Sequence, residues 1–236
     1  MSALLLQITG IFYLVSVFFV ARIFVLKLKN FKTILIFITA ILYTEIILLS
    51  LFKYLEPKYF LLLTLFHIYL TVKNKSYINL SINFNFLNLN ILLTYGLCTY
   101  LLSLSRYNQD DYLSIYLPRA LLWIKEKTVF INYDLSPIYQ HILNYPITGH
   151  IDIFLFKLFN FPYFINLIIF LFVINEIYLS FVKNLNLNEN DTLLFKIFIF
   201  FCPIIFFSFL NFLHEVLFAY FVINSLITLM NCYRLK

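Results

Sequence analysis

Long apolar runs are the feature that most constrains what this chain can fold into. An α-helix needs about 20 apolar residues, and at least roughly 17, to cross the ~30 Å hydrocarbon core of a bilayer. Seven stretches reach that length with few charges: residues 3–25, 33–52, 55–72, 86–105, 162–182, 192–209 and 216–232. We therefore expect an all-α integral membrane protein with about seven transmembrane helices, accompanied by juxtamembrane helices on the extracytoplasmic side.

The composition agrees with that architecture. Hydrophobic residues make up 63% of the 236 positions and charged residues 12%, whereas soluble proteins carry roughly 25% charged residues. The mean hydropathy of +0.91 makes membrane lipid the expected surrounding of the chain. No nucleic-acid partner is expected, and no separate soluble domain is indicated.

One shorter apolar segment, GHIDIFLFKLF at residues 149–159, is a different kind of element. It has 11 residues and carries His150, Asp152 and Lys157, so it is too short and too charged to span the bilayer. These properties predict a helix that lies in the membrane interface.

The distribution of basic residues predicts the orientation of the spans. The loops after the first, third and fifth spans and the C-terminus, together with the adjoining helix ends, carry ten Lys or Arg and two acids. The opposite side carries seven bases and seven acids. Because basic loops face the cytoplasm, the N-terminus and the segment at 105–160 are expected outside and the C-terminus inside. The expected location is a bacterial inner or plasma membrane.

Three ionisable side chains, Glu45, His67 and Glu176, fall inside predicted spans. Ionisable groups are costly in hydrocarbon and almost always have a partner there. Glu45 and His67 lie on neighbouring spans and are expected to hydrogen-bond to each other, although their estimated depths differ by about 8 Å. We expect this contact to pair helices rather than to serve transport.

The one sizeable polar block covers residues 106–147 and contains DDYLSIYLPRALLW at 110–123. Asp110 or Asp111 is placed to cap a helix that begins at Tyr112. Pro118 falls in the interior of that helix and predicts a kink. Trp123 is expected at the level of the lipid headgroups. The residues expected to share one apolar face are Leu113, Leu117, Ala120, Leu121 and Ile124.

Asp111 and Arg119 are eight residues apart, about 12 Å along an unbroken helix, so they are not natural salt-bridge partners. Held a ligand's width apart at a membrane surface, they suit two parts of one substrate. The carboxylate would take a hydroxyl proton and the guanidinium would bind a phosphate oxygen. The alternative is a capped, solvated loop helix whose arginine extends to water.

The same stretch resembles the Asp-x-x-x-Tyr-His-x-Pro-Arg signature of the GT-C superfamily of membrane glycosyltransferases. This superfamily includes protein O-mannosyltransferases and lipid A aminoarabinose transferases, and the signature lies in the first extracytoplasmic loop. Asp111, Pro118 and Arg119 stand at signature positions, while Ile115 and Tyr116 replace the Tyr-His pair.

Two later segments resemble the superfamily in the same order. NYPITGHIDIFLFKLF is similar to a Tyr-Pro-Pro segment followed by an interfacial helix, and LNFLHEVLFAYFVINSLITLMNCYRL is similar to a later helix that starts with an outer acid, here Glu215. The resemblance covers about residues 91–236, with 106–160 as the first extracytoplasmic loop and 1–90 as an N-terminal extension of transmembrane helices. Members usually continue through several more helices, so the chain is expected to correspond to an N-terminal portion.

The resemblance implies sugar transfer from a polyprenyl-phosphate-linked donor to a lipid, glycan or protein acceptor at the extracytoplasmic surface. The superfamily generally inverts the anomeric carbon, which calls for one carboxylate base opposite the leaving group. Asp111 would be that base, with Asp110 as the alternative, and Arg119 would bind the leaving phosphate. The other residues expected to bind substrate are Tyr116, His141, Tyr145, His150 and Glu215.

No cofactor is expected. His141, His150 and Asp152 are suitable ligand types for a divalent metal, but the spacing of the two histidines matches no local metal motif. Two other functions stay open: a transporter or lipid flippase, which would need charges near the bilayer midplane, and a non-catalytic membrane subunit of a cell-envelope assembly. Most of the acids lie instead in the predicted outer loops.

Overall fold

The computed structural model describes residues 2–28, 34–74, 117–131, 151–161 and 189–201, with single positions between 171 and 182 and at 222 and 225. Regular structure in these residues is helical throughout, so the predicted all-α class is confirmed for the described part of the chain. The helices are α1 (Ala3–Leu28), α2 (Leu35–Leu51), α3 (Pro57–Lys73), α4 (Leu117–Glu126), α5 (Ile151–Leu158) and α6 (Glu189–Phe201).

Helices α1, α2 and α3 coincide with the first three predicted spans to within three residues at each end. One stretch of described helix is long and apolar enough to cross a membrane: Ala3–Leu26, with 24 residues and a mean hydropathy of 2.2. α2 and α3 have 17 residues each, about 26 Å of helix, which is the lower limit for a span. Apart from α6, the fourth to seventh predicted spans lie wholly or largely outside the described residues.

These three helices bury polar side chains and expose apolar ones. Ser16, Thr64 and His67 are 5%, 2% and 2% exposed, whereas Phe12 and Leu62 are each 59% exposed. The inside also holds apolar residues such as Ile46 and Phe60, so what departs from a soluble protein is the number of large apolar residues on the outer surface. The pattern is the one expected for helices whose outer surface contacts lipid and whose polar groups are satisfied between helices.

A short turn joins α2 to α3, and α1 packs against both helices. The N–H of Lys53 donates to the carbonyl of Ser50 (3.1 Å) and that of Tyr54 to the carbonyl of Leu49 (2.8 Å). These bonds satisfy carbonyls at the end of α2 that have no partner within the helix. Pro57 then begins α3, where its missing N–H costs nothing. We call the end of the unit that contains this turn the turn end.

The chain after α4 is hydrogen-bonded to the turn end. The hydroxyl of Thr128 donates to the carbonyl of Ser50 (2.9 Å), and the N–H of Val129 donates to the Ser50 hydroxyl (3.3 Å). The N–H of Leu55 donates to the carbonyl of Lys127 (3.2 Å). These bonds fix residues 127–131 against the turn between α2 and α3.

The chain after α5 packs on the N-terminal half of α1. The side-chain amide of Gln7 donates to the carbonyl of Asn160 (2.9 Å). Gly10 lies so close to Phe159 and Phe161 that a Cβ at this position would be 2.5 Å from Cγ of Phe159 and 2.7 Å from its Cβ. Glycine is therefore required at this contact. Since α5 has eight residues, about 12 Å of helix, the predicted short, non-spanning helix is confirmed.

The face that α4 buries differs from the predicted one. Arg119, Ala120 and Trp123 are 2%, 0% and 0% exposed, while Leu121 is 50% exposed. Ala120 of the predicted apolar face is buried, but Leu121 is not, and Trp123 is buried because α5 packs on the side of α4 that carries it. The expected level of Trp123 relative to the lipid headgroups stays a prediction. The predicted start at Tyr112 and kink at Pro118 depend on residues that lie outside the described part.

The chain divides into two compact units, Met1–Leu167 and Ile168–Lys236. In the second unit the ring of Tyr178 stacks on Phe195 of α6 with centroids 6.3 Å apart, and Nζ of Lys196 lies 5.5 Å from the same ring. The boundary expected near residue 90 lies outside the described residues.

Candidate functional site

The principal polar cluster within the first unit joins one side chain from each of α2 and α3 to two from α1. Tyr13 and Ser16 lie on α1, Glu45 on α2 and His67 on α3. The ring of Tyr13 is 0% exposed, and the side chains of His67 and Glu45 are 2% and 12% exposed. Ionisable groups this well buried need partners within the protein.

Direct hydrogen bonds connect all four side chains. Tyr13 donates its hydroxyl to Oε2 of Glu45 (2.7 Å), and Oε1 of Glu45 lies 2.6 Å from Nε2 of His67. The second ring nitrogen of His67, Nδ1, lies 2.9 Å from Oγ of Ser16. The Ser16 hydroxyl donates to the carbonyl of Tyr13 at 2.7 Å. Both carboxylate oxygens and both imidazole nitrogens therefore have partners.

The helix geometry explains how Glu45 and His67 meet. Glu45 is six residues from the end of α2 and His67 is ten residues from the start of α3, so their Cα atoms lie about 9 and 15 Å from the turn end. Side chains on a helix lean toward its N-terminus. Glu45 therefore leans away from the turn end and His67 leans toward it, and the predicted hydrogen bond between them is confirmed despite the expected offset.

The cluster lies near the middle of the three-helix unit. Ser16 is 13 residues from the start of α1 and 12 from its end, and on α3 His67 follows Phe60 and Thr64 along the buried face. About 15 to 20 Å of α1 lies on either side of Ser16. Glu45 and His67 are each six residues from the nearer end of their own helix, about 9 Å.

An aromatic cluster links this network to α5. The ring of Tyr13 lies edge-on to Phe60 with centroids 4.9 Å apart and 6.1 Å from Phe159. Phe60 and Phe159 are themselves edge-on at 5.4 Å. Tyr13 thus packs against the segment that follows α5 and at the same time donates to Glu45.

A second site lies in the predicted functional segment, between α4 and α5. The guanidinium carbon of Arg119 lies 5.1 Å from the ring centre of Trp123. Trp123 in turn lies edge-on to Phe154 of α5, with centroids 6.0 Å apart. Arg119 was expected to be exposed, but it is buried, because α4 packs its Arg119–Trp123 side toward the protein. This distance is within the range of a cation–π contact.

Charged side chains lie at the surface of the turn end. Glu56, just before α3, forms ion pairs with Lys127, after α4, and with Lys58 (2.8 Å). Hydrogen bonds from Lys127 and then Lys58 hold the pKa of the Glu56 carboxyl below its usual range. These partly exposed pairs tie the α4 segment to the turn but hold no buried charge.

The remaining residues predicted for the substrate site lie outside the described residues. Arg119 is described; the others are Asp110, Asp111, Tyr116, His141, Tyr145, His150 and Glu215. Their grouping with Arg119 therefore stays a prediction. Within the described ranges there is no cluster of three His, Cys, Asp or Glu side chains that could hold a metal ion.

Sequence reasoning missed Tyr13 and Ser16 as partners of the buried pair. The available signal was their spacing of three residues on one face of α1, opposite the spans that carry Glu45 and His67. It also missed the contact at Gly10, although glycine occurs only three times in the chain. A rare glycine inside a long helix indicates close approach of another segment.

Comparison with known proteins gave no match: no family model, no curated protein and no solved structure is similar to this chain.

Proposed function

We propose that this protein is a membrane glycosyltransferase of the GT-C type, which transfers a sugar from a polyprenyl-phosphate-linked donor to an acceptor at the extracytoplasmic surface. One observation supports the proposal most. Two segments that carry the resemblance, 110–123 and 144–159, contribute the neighbouring helices α4 and α5. Arg119 of the signature lies beside Trp123, whose ring is edge-on to Phe154 of α5. Segments that build one active site are expected to be adjacent.

The position of α4 and α5 suits a lipid-linked donor. Both are too short to span a bilayer, and both are attached to the turn end of helices that expose apolar surface. A polyprenyl chain keeps its phosphate at the membrane surface, where such helices lie. In this proposal the protein is multi-pass, the turn end faces the extracytoplasmic side and the C-terminus faces the cytoplasm.

The chemistry assigned to the site needs two groups. Arg119 binds the donor phosphate with its planar guanidinium, whose N–H groups match the geometry of phosphate oxygens. Asp111, or Asp110 as the alternative, takes the proton of the acceptor hydroxyl while the phosphate leaves from the opposite face of the sugar. Tyr116, His141, Tyr145, His150 and Glu215 are proposed to bind the substrates.

Photocrosslinking tests donor binding without knowledge of the sugar. A polyprenyl phosphate that carries a diazirine near the phosphate is added to membranes with the full chain, and the labelled peptides are identified. We expect labelling within residues 106–160 that falls at least tenfold in Arg119→Gln. Lys125→Gln, which removes an exposed base from the same helix, is the matched control and should label normally. Labelling that is equal in both variants would reject Arg119 as the phosphate ligand.

Sugar transfer tests the assigned base. Membranes containing Asp111→Asn or Asp110→Asn, matched for expression, are supplied with radiolabelled polyprenyl-phosphate sugars. We expect transfer to fall by at least a hundredfold when the general base is lost, with polyprenyl phosphate crosslinking retained. Full transfer in both variants would reject the assigned base.

The buried Glu45–His67 pair favours a second candidate, a transporter or lipid flippase, since such proteins place ionisable groups near the bilayer midplane. Reconstituted vesicles with a fluorescent polyprenyl phosphate distinguish the two functions. Movement of the probe between leaflets that depends on Glu45 would support the flippase. Transfer of sugar without leaflet exchange would support the glycosyltransferase.

A further inference from the structure

The hydrogen bonds around His67 bear on the number of protons in the buried cluster. Ser16 has a single hydroxyl proton, and its oxygen lies 2.7 Å from the carbonyl of Tyr13, which can only accept. With the Ser16 proton in that bond, the Ser16 oxygen accepts, and Nδ1 of His67, 2.9 Å away, carries a proton and donates it. Tyr13 likewise donates its one hydroxyl proton to Oε2 of Glu45.

One contact remains, and it needs one more proton. Nε2 of His67 and Oε1 of Glu45 lie 2.6 Å apart, and a hydrogen bond between them requires a single hydrogen. If the hydrogen is on nitrogen, the pair is an imidazolium and a carboxylate. If it is on oxygen, the pair is a neutral imidazole and a carboxylic acid. The net charge is zero in both arrangements.

Other proton counts leave a net charge inside the helix unit. With no proton in the contact, a carboxylate faces the lone pair of a neutral imidazole and the cluster carries one negative charge. With two protons, both groups are donors at a distance that fits one hydrogen, and the cluster carries one positive charge. An unpaired charge at a site this buried is strongly unfavourable.

We propose that Glu45 and His67 form a binding site for a single proton in the middle of the three-helix unit. The shared proton is what allows two ionisable side chains from different helices to be buried together, and it makes the pair a neutral connection between α2 and α3. Tyr13 and Ser16 are positioning residues. Tyr13 bonds to Oε2 of Glu45 and Ser16 to Nδ1 of His67, so each holds one partner in its orientation. The site is independent of Arg119 and of the proposed sugar transfer.

The surroundings of the pair are consistent with that proton count. Tyr13 is the titratable group of α1 that is bonded to it. Arg22 is six residues beyond Ser16 and Lys73 six residues beyond His67, each about 9 Å farther along its helix. On α2, Tyr43 lies two residues from Glu45, a spacing that does not place it on the same face. After α5, the residue next to the cluster is Phe159.

Nitrogen NMR of the imidazole rings tests the proposal directly. The full chain is prepared in lipid nanodiscs at pH 7 with ¹⁵N-labelled histidine, in a variant in which His141, His150 and His214 are replaced by Gln, so that His67 gives the only signals. We expect Nδ1 to carry a proton. We also expect either a protonated Nε2 or, in the infrared spectrum, a protonated carboxyl band that is lost in Glu45→Gln.

Two further variants separate a shared proton from simple packing. Glu45→Gln should leave Nε2 unprotonated while Nδ1 keeps its proton, because Ser16 still accepts it. Thr39→Val, which removes a hydroxyl bonded only within α2, should leave both nitrogen signals unchanged. An unprotonated Nδ1, or an unprotonated Nε2 together with an ionised Glu45 in the parent chain, would overturn the proposal.

Discussion

The three-helix unit and the short helix α4 at its turn end differ in the charge of their outer surfaces. In α1–α3 the outer surface is apolar and the inside holds Ser16, Glu45 and His67. In α4 the outer surface carries Lys125 and Glu126, and the inside holds Arg119 and Trp123. Apolar surface suits lipid, and charged surface suits water or headgroups. The outer surface changes from apolar to charged at the turn between α2 and α3.

The two regions also differ in what their polar contacts accomplish. Inside α1–α3 a polar contact replaces water that is absent, so losing one partner leaves a buried group unsatisfied. At the turn end the ion pairs of Glu56 are partly exposed and compete with nearby water and headgroups, while the buried Thr128 contributes a neutral hydrogen bond. The same kind of substitution should therefore be costly in the first region and modest in the second.

The largest effect is expected from breaking the buried pair. His67→Leu or Glu45→Leu should each reduce the free energy of unfolding by about 3 to 5 kcal/mol, because the remaining partner is buried without its hydrogen bond. The double variant should recover part of that loss, since both ionisable groups are gone and the Tyr13 hydroxyl is the group that loses its acceptor. Unfolding in mixed micelles can be followed by the fluorescence of Trp123, the single tryptophan. Additive losses in the double variant would contradict the coupling.

A smaller loss is expected where the segment after α5 packs on α1. Gly10→Ala places a Cβ 2.5 Å from Cγ of Phe159, and such overpacking should destabilise the unit by about 1 to 3 kcal/mol. The sign is informative, because Ala in a helix is otherwise about 1 kcal/mol better than Gly. Ile11→Ala, at the neighbouring exposed position, is the control and should change stability little. A stabilised Gly10→Ala would show that Phe159 does not pack there.

The hydrogen bonds that attach the segment after α4 should contribute less. Thr128→Val removes a donor to the Ser50 carbonyl (2.9 Å) and an acceptor for the N–H of Phe130 (3.0 Å). We expect a loss of about 1 kcal/mol and faster amide exchange in residues 127–131. Thr64→Val, whose hydroxyl bonds within its own helix, should leave that exchange unchanged. Equal amide exchange in both variants would show that Thr128 does not attach the segment after α4 to the turn end.

The smallest effect is expected from the exposed ion pairs of Glu56. Its pKa is lowered in the folded chain, first by Lys127 and then by Lys58. The contribution to stability is therefore present above the ordinary value of 4.5 and is lost as the pH falls through the lower folded value. Glu56→Gln should cost about 0.5 kcal/mol at pH 7 and low salt, and less at high salt. A loss in Glu56→Gln that persists unchanged at pH 3 would contradict this assignment.

Hydropathy and length predicted the parts of this fold that depend on local sequence. Apolar runs of sufficient length gave the bounds of α1, α2 and α3, and a short charged run identified α5. The bond between Glu45 and His67 was also predictable, because two ionisable residues on neighbouring spans have few other partners. These features depend on the cost of burying polar groups. That cost can be judged from the sequence of each segment separately.

The features that sequence did not predict depend on which segments pack together. Trp123 and Arg119 are buried because α5 covers that side of α4, and the sequence of α4 alone favours a face with Leu121. The close contact at Gly10 depends on the chain returning to α1 150 residues later. The proposed substrate site also depends on how segments pack together, since Asp111 and Arg119 act together only if the surrounding chain brings them to one substrate.

Labelling from outside the cell tests most directly whether the turn end, with α4, faces the extracytoplasmic side. In a chain whose three native cysteines are replaced by Ser, Lys58→Cys and Lys125→Cys are placed at the turn end and Lys73→Cys at the opposite end of α3. Intact cells are treated with a membrane-impermeant maleimide. We expect Lys58→Cys and Lys125→Cys to react at once and Lys73→Cys only after the cells are opened. Reaction of Lys73→Cys from outside, with Lys125→Cys protected, would contradict the account.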